Sequence, residues 1–261
     1  MVGSRRLVAR TALVTLTLLA VVVPRASAGR DDDPAKRAVS RLEEMAKLLA
    51  KAKGLGLRID CAWDVVQPTG EKIEFGELRT VTVRRPDRLR MEVVQRSGSR
   101  RGLLFDGREL AVFDLDQRVY ATAPARGTLD AALEHLTTDL QVRVPLRELI
   151  AADLPEELEP FRETARWVGR ENVGGTLADH LSLRGDDADV QLWIASQGDP
   201  LPRRIVITYR RDEGQPQFRA DLSDWNLSPD APDALFTFAT DGTEKVPFVV
   251  PRPAGGARGA R

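Results

Sequence analysis

Leu103-Leu-Phe-Asp-Gly-Arg-Glu-Leu-Ala-Val-Phe113 places two short apolar runs on either side of Asp106-Gly107. Asp-Gly between two apolar runs is the strongest short-range hairpin signal, because both central positions of the corresponding turn require a positive φ. The stretch therefore predicts an antiparallel hairpin with strands over residues 103–105 and 109–114.

The same pattern continues outward in both directions. Short runs that are rich in β-branched or alternating apolar residues are separated by turn formers such as Pro68-Thr69-Gly70 and Gly174-Gly175. Separations this short cannot hold a crossover helix, so the strands pair antiparallel. The predicted strands are residues 57–66, 76–84, 89–95, 103–105, 109–114, 118–123, 164–173, 176–184, 190–195, 203–211 and 216–225.

Two helical regions accompany these strands. Asp33-Pro34 is a typical N-cap and first helical residue. The residues that follow at steps of three and four, and so share one helix face, are Ala38, Leu42, Met45, Leu49 and Ala52. A helical insert is predicted over residues 128–140 and 145–152, with 154–162 as a third candidate piece. The fold class is therefore α+β, with about 11 antiparallel strands that curl through accumulated twist and with helices as lids on the concave face.

The N-terminus is typical of an export signal. Residues 1–10 carry three arginines, residues 11–23 form an apolar run shorter than the about 20 residues that span a bilayer, and Ala26-Ser27-Ala28 is a cleavage site. Pro24 and Arg25 interrupt the run, which disfavours the alternative of an uncleaved membrane anchor. Ser4-Arg5-Arg6 resembles a twin-arginine signal, so this route and ordinary secretion both stay open.

These features predict the organisation of the chain. We expect a signal peptide over 1–28, cleaved after Ala28, one soluble domain over 29–250 and a disordered tail over 251–261. The chain has 39 basic and 39 acidic residues, and removal of residues 1–28 takes away arginines but no acid. The mature protein is then mildly acidic, which argues against a nucleic-acid partner. It is predicted to be periplasmic or secreted and not an integral membrane protein.

No catalytic motif is present. His135 and His180 are the only histidines, and no second histidine or cysteine lies at helical or strand spacing from either. The glycine pair 174–175 lies between two strands, which predicts a hairpin turn and not a phosphate loop. Cys61 is the only cysteine; a buried strand residue is favoured, with an intermolecular disulfide as the alternative. We expect no catalytic residue, no cofactor and no metal, and a divergent enzyme built around Asp179 and His180 remains a third hypothesis.

Several segments together resemble a family of predicted periplasmic proteins without an assigned function. These segments are Arg85-Pro-Asp-Arg-Leu-Arg90, Phe105-Asp-Gly107, Gly127-Thr-Leu-Asp130, Pro145-Leu-Arg-Glu-Leu-Ile150, Val168-Gly169, Ala178-Asp-His-Leu181, Gln191-Leu-Trp-Ile194 and Pro200-Leu-Pro-Arg-Arg204. Some members would have a cysteine in place of Ala178, so no essential thiol is expected there. The organisation is also similar to the lipoprotein-carrier LolA/LolB-like fold, which implies an incurved half-barrel sheet closed by an N-terminal helix and an inserted helical lid. The stretch 232–238 resembles the C-terminal stretch of such carriers.

This resemblance implies a ligand. A half-barrel with an apolar mouth suits an acyl chain, whose burial gains about 0.8 kcal/mol per methylene. We therefore expect a non-enzymatic carrier or chaperone that binds a lipid, an acyl chain or a lipidated partner such as a lipoprotein. The expected lining is Leu42, Met45, Val81, Val83, Leu89, Met91 and Val93, and the alternative for each is that it only fills the core. The second hypothesis is an envelope regulator or adaptor that docks on a membrane protein.

Overall fold

The computed structural model describes residues 33–248. The predicted signal peptide, its cleavage site and the predicted tail over 251–261 lie outside the described residues. The helices are α1 (Pro34–Lys51), α2 (Leu129–Thr138) and α3 (Leu154–Glu157), with single 3-10 turns at Arg147–Leu149, Glu159–Phe161 and Asp233–Phe236. The strands are β1 (Gly54–Val66), β2 (Lys72–Arg84), β3 (Arg88–Gln95), β4 (Arg100–Phe105), β5 (Glu109–Asp114), β6 (Val119–Pro124), β7 (Arg166–Val173), β8 (Thr176–Arg184), β9 (Ala188–Ala195), β10 (Pro202–Tyr209), β11 (Gln217–Asn226) and β12 (Glu244–Lys245).

All twelve strands form one sheet in the order β12-β6-β5-β4-β3-β2-β1-β11-β10-β9-β8-β7. Strands β1 to β6 form one meander and β7 to β11 form another, and the pairing of β1 with β11 joins them. Every described pair is antiparallel except β12 with β6. Because β12 and β7 stand at opposite edges, the sheet is an open half-barrel, and the predicted α+β class is confirmed.

The hairpin at Asp106-Gly107 is confirmed, but its turn differs from the prediction. Phe105 pairs with Leu110, and the four residues 106–109 lie between this last pair. Gly107 has a φ of +88°, whereas Asp106 is not among the described residues with positive φ. The Asp106 carboxylate instead accepts hydrogen bonds from the backbone N–H groups of Arg108 and Glu109, both at 2.8 Å. These two hydrogen bonds satisfy the backbone N–H groups of Arg108 and Glu109. Of Asp106 and Gly107, only Gly107 then adopts a left-handed backbone.

The remaining differences from the prediction concern the bounds of β1 and β2, one helix of the insert and one short strand. Strands β1 and β2 begin at Gly54 and Lys72, earlier than predicted, and form a hairpin longer than either neighbour. The predicted helix over 145–152 is a loop with a single 3-10 turn, because Leu146 adopts a left-handed φ of +63° that an α-helix cannot contain. Strand β12 was missed because two polar residues carry no alternating apolar signal.

The core lies on one face of the sheet, which we call the inner face. In β1 it receives Leu55, Leu57, Ile59 and Cys61, all buried. Helices α1 and α2 cover this face with their apolar sides. Cys61 is fully buried, and burial raises the pKa of its thiol to about 11.

The opposite, outer face is partly covered by the chain after β11. Phe238 stacks on Phe113 with ring centroids 4.8 Å apart, and Arg90 donates a hydrogen bond of 2.8 Å to the carbonyl of Leu235. Thus the described chain packs helices on one face of the sheet, and the segment after β11 with its 3-10 turn on the other. No helix within residues 33–248 is both long and apolar enough to span a membrane.

Candidate functional site

The structure brings the seven predicted lining residues together on the inner face. Leu42 and Met45 project from α1, and the others come from β2 and β3, where Val81 pairs with Met91 and Val83 pairs with Leu89. Six of the seven are buried, and Val93 is half-buried against the same cluster.

Their cover comes from the helical insert as well as from α1. Leu129, Leu133 and Leu136 of α2 and the single-turn segments at Leu149 and Leu154 are buried in the same cluster. The inner face therefore carries packed side chains over most of its length. Solvent reaches this face where a groove remains.

One such groove lies beside Met91 and Val93, and we call it the inner groove. Its volume is about 160 Å³. Its apolar lining is Met91, Val93, Leu103, Val112, Val142 and Val144, and its charged lining is Glu77, Arg79, Arg101 and Arg143. A second cavity of about 540 Å³ shares these four charged residues and adds Trp63, Tyr209 and Phe218. Two of the predicted lining residues thus form the wall of an accessible space.

A buried ion pair marks the boundary between the packed core and this groove. Glu77 and Arg79 follow the strand period of two onto the inner face, next to Val81, and are only 8% and 6% exposed. The Arg79 Nε donates to the Glu77 carboxylate at 2.6 Å, and its Nη1 donates to the carbonyl of Pro145 at 3.0 Å. Buried charges require such partners. Arg79 is therefore tied both to β2 and to the insert.

Arg101 and Arg143 complete the charged lining from two other elements. Val93 pairs with Arg79 on one side and with Arg101 on the other, so two arginines flank this valine across neighbouring strands. Arg143 comes from the insert loop and lies near Tyr209, where burial raises the pKa of the phenol and the positive charge of Arg143 opposes that rise. Both Arg101 and Arg143 are exposed.

A second groove, here the helix groove, separates α1 from the segment around α3. Its volume is about 480 Å³, with Leu42, Ala46, Pro155 and Leu158 as apolar lining. Glu43 at its rim is bound by Lys47 at 3.3 Å and by Arg162. The hydrogen bond from Lys47, with help from Arg162, holds the pKa of Glu43 below its usual value. Leu42 thus lies buried at the base of the helix groove, and Glu43, Lys47 and Arg162 form its charged rim.

The N-terminal half of α1 is held by one buried carboxylate. Asp179 of β8 is 1% exposed, and its oxygens lie 3.1 Å from Arg37, 3.2 Å from Arg41 and 2.9 Å from Arg170. The indole Nε1 of Trp167 donates to the same carboxylate at 3.1 Å. Burial alone would raise the pKa of Asp179, but the hydrogen bonds and charges outweigh it and hold the pKa below its usual value.

The C-terminal end of α1 is held by Arg85, part of the segment 85–90. Its Nε donates to the carbonyl of Ala52 at 3.0 Å, and its Nη2 donates to the carbonyls of Leu49 at 3.3 Å and Ala151 at 3.4 Å. Cations at a helix C-terminus are favourable because the last carbonyls lack helical partners. Arg85 therefore links α1, the β2–β3 turn and the insert.

Asp179 and His180 do not form one cluster. Successive strand residues point to opposite faces, so Asp179 meets α1 while His180 lies on the outer face. There His180 stacks on Trp193 with centroids 4.1 Å apart, and its ring nitrogens lie 3.1 Å from Glu171 and from Gln191. Both nitrogens are therefore engaged. Within the described chain, no three His, Cys, Asp or Glu side chains are grouped to hold a metal ion.

The sequence pattern of one protein family matches residues 38–249. The chain belongs to the family described as predicted periplasmic protein (DUF2092). The match begins within α1 and covers the rest of that helix, the twelve described strands and the segment 85–90. Comparison with curated protein sequences gives no match.

Several solved structures are similar to this family member. Lipoprotein LppX of Mycobacterium tuberculosis has 13% identity and a TM-score of 0.47, over 75% of this chain and 98% of that one. The LolA superfamily protein NE2245 of Nitrosomonas europaea has 17% identity and a TM-score of 0.39, over 77% and 97%. MucB in the MucA/MucB complex of Pseudomonas aeruginosa has 17% identity and a TM-score of 0.43, over 78% and 62%. Since all three TM-scores lie below 0.5, nothing about ligand or partner follows from them.

Sequence reasoning missed the charged residues of this family member's inner face. Glu77 and Arg79 continue the alternation of Val81 and Val83 by steps of two, which was a readable signal that they face the same way. The convergence of Arg101 with Arg143 had no such signal, because the two residues belong to a strand and a loop that only the tertiary fold brings together.

Proposed function

We propose that this chain is an exported, non-enzymatic binding protein that holds the apolar chain of a lipid or lipidated protein on its inner face. The observation that carries the proposal is the continuity of the apolar inner face from the packed core into the inner groove, where Met91 and Val93 form the wall. Export by the N-terminal signal, with cleavage after Ala28 and release into the periplasm or the medium, is part of this proposal.

The size of the inner groove sets a condition on binding. At about 160 Å³ it is smaller than typical small-molecule sites of about 300–1,000 Å³. A long chain therefore has to displace part of the cover. The insert loop with Val142 and Val144 is suited to this, because it contains no regular helix and only Val144 of the two is buried. Burial of ten methylenes would gain about 8 kcal/mol toward that displacement.

The test compares two neighbouring valines that face opposite sides of β3. Val93→Phe fills the inner groove, whereas Val94→Phe enlarges an exposed residue of the outer face. Titration of the mature protein with a fluorescent long-chain fatty acid should show at least about tenfold weaker binding for Val93→Phe, since a filled groove excludes the chain. Val94→Phe should bind like the wild type. The proposal fails if the wild-type protein binds no chain, or if both variants bind equally.

A second candidate function, the docking of a protein partner, is favoured by the long β1–β2 hairpin. Its tip exposes Val65, Ile73 and Phe75 by 39%, 47% and 49%, and Val65 and Ile73 are cross-strand partners. The pairing of β2 with β3 ends at Glu77, so the edge of β2 before it is open to an added strand. Crosslinking from the hairpin in an envelope fraction should then capture one membrane protein. Phe75→Ser should abolish that crosslink, and Val93→Phe should leave it unchanged.

A further inference from the structure

Positive charge is concentrated at one end of the inner groove. The cross-strand pairs Arg101–Val93 and Val93–Arg79 put two arginines on the inner face two strands apart, about 10 Å between their backbones. Arg143 lines the same groove from the insert loop above the sheet. Among the described residues of this lining, Glu77 is the one acid beside three arginines, so their summed charge is positive.

The three arginines are not equivalent. Arg79 is buried and already bound by Glu77 and by the carbonyl of Pro145. Arg101 and Arg143 are exposed, and neither forms an ion pair or a side-chain hydrogen bond with any residue of the range 33–248. Two guanidinium groups that line one groove and have no acidic partner among the described residues form a site for an anion, because the planar fork matches carboxylate and phosphate oxygens.

The neighbouring wall of the groove is apolar. Beyond Arg101, the inner face continues into Leu103 of β4 and Val112 of β5, which pair with each other, and into Met91 of β3. In the adjoining larger cavity, Asp64 is paired with Arg219 at 2.6 Å and Glu77 is paired with Arg79. The remaining acid of that described lining is Asp212, which lies near Tyr209 and so outside the row of Arg101, Val93 and Arg79. An anion is thus favoured on the Arg101 side, next to a surface that suits a hydrocarbon chain.

We infer that Arg101 and Arg143 bind the anionic headgroup, a carboxylate or a phosphate, of an amphiphile whose chain lies on Met91, Leu103 and Val112. This inference rests on the proposed function and specifies its ligand class as an anionic amphiphile. Neutral lipids of the same chain length then bind by the chain alone.

Calorimetric titration of the full mature protein with dodecanoate, dodecyl phosphate and dodecanol tests this assignment. The wild type should bind the two anions about ten- to a hundredfold more tightly than the alcohol, the effect expected of hydrogen bonds to a charged group. The double variant Arg101→Gln/Arg143→Gln should bind all three compounds with the affinity of the alcohol. The matched control Arg100→Gln/Arg126→Gln removes two exposed charges outside the groove, since Arg100 pairs with Val94 of the outer face. It should keep the preference for anions.

The outcomes separate the two proposals. Equal wild-type affinity for the anions and the alcohol overturns the headgroup site and leaves chain binding intact. A preference that survives in the Arg101→Gln/Arg143→Gln variant also overturns the headgroup site. Absence of binding for all three compounds removes the proposed function itself. Inorganic phosphate is the fourth arm: if it binds as tightly as dodecyl phosphate, the two arginines hold a free anion and the amphiphile assignment is wrong.

Discussion

Replacement of Asp179 by asparagine tests whether α1 is anchored through this single carboxylate. The change keeps the side-chain shape and removes the negative charge that faces Arg37, Arg41 and Arg170. Loss of one partner of a fully buried ion pair costs about 3–5 kcal/mol. The three arginine side chains are 18% to 48% exposed, so solvent screens part of their repulsion. We therefore expect a loss of about 2–3 kcal/mol in the free energy of unfolding.

The measurement is thermal unfolding of the mature protein, monitored by near-ultraviolet circular dichroism. For a chain of this size, the loss corresponds to a Tm about 5–10 °C lower. Asp221→Asn is the control, because Asp221 forms a single exposed pair with Arg204 at 3.0 Å and its loss should cost under about 1 kcal/mol. A Tm for Asp179→Asn within 1 °C of that control would refute the anchoring role.

The pH dependence of the stability of the wild type and of Asp179→Asn gives an independent check. The folded-state pKa of Asp179 is depressed, so its stabilising contribution is present above the unfolded pKa of about 3.9 and is lost as the pH falls through the folded value. The difference in stability between wild type and Asp179→Asn should therefore stay constant from pH 7 to about pH 5 and shrink below about pH 4. A difference that grows on acidification would contradict the depressed pKa.

Three further outcomes are expected. Arg85→Met should lower the free energy of unfolding by about 2–3 kcal/mol in urea titration, because it leaves helix and insert carbonyls without a donor, whereas Arg88→Met should cost less than half as much. Gly107→Ala and Gly98→Ala both force alanine into a positive φ at a cost of about 1–2 kcal/mol. Gly107→Ala should cost more, since its Cβ would lie 2.5 Å from both the Arg88 guanidinium and the Asp87 carboxylate and would displace this ion pair, whereas Gly98→Ala meets open space. Cys61 should resist alkylation at pH 8 in the folded protein and react only on unfolding, because a buried thiol with a pKa of about 11 stays protonated. Rapid labelling of the native protein would contradict the burial of this thiol.

Local structure was largely readable from the sequence, because it depends on residues close together in the chain. The N-cap at Asp33, the apolar face of α1 and the turn formers between strands each act within a few residues. Every predicted strand is present, and the antiparallel order follows from connections too short for a crossover. The errors in the insert and at β12 fall where a left-handed residue or a very short polar strand leaves no periodic signal.

The tertiary structure decided how distant segments meet. The pairing of β1 with β11, which joins the two meanders, links residues far apart in the chain and has no local signature. The same is true of the cover over Val81, Val83 and Leu89, since a strand period reveals which face is apolar but not what packs against it. The sequence therefore predicted a curved antiparallel sheet, and the resemblance implied the half-barrel that the structure shows. That the seven residues line a ligand stays a prediction. The sequence also predicted helices over the concave face, but only the fold decided which residues they cover, left a groove at Val93, and put Arg101 and Arg143 in its lining, because these contacts depend on packing between elements and not on order along the chain.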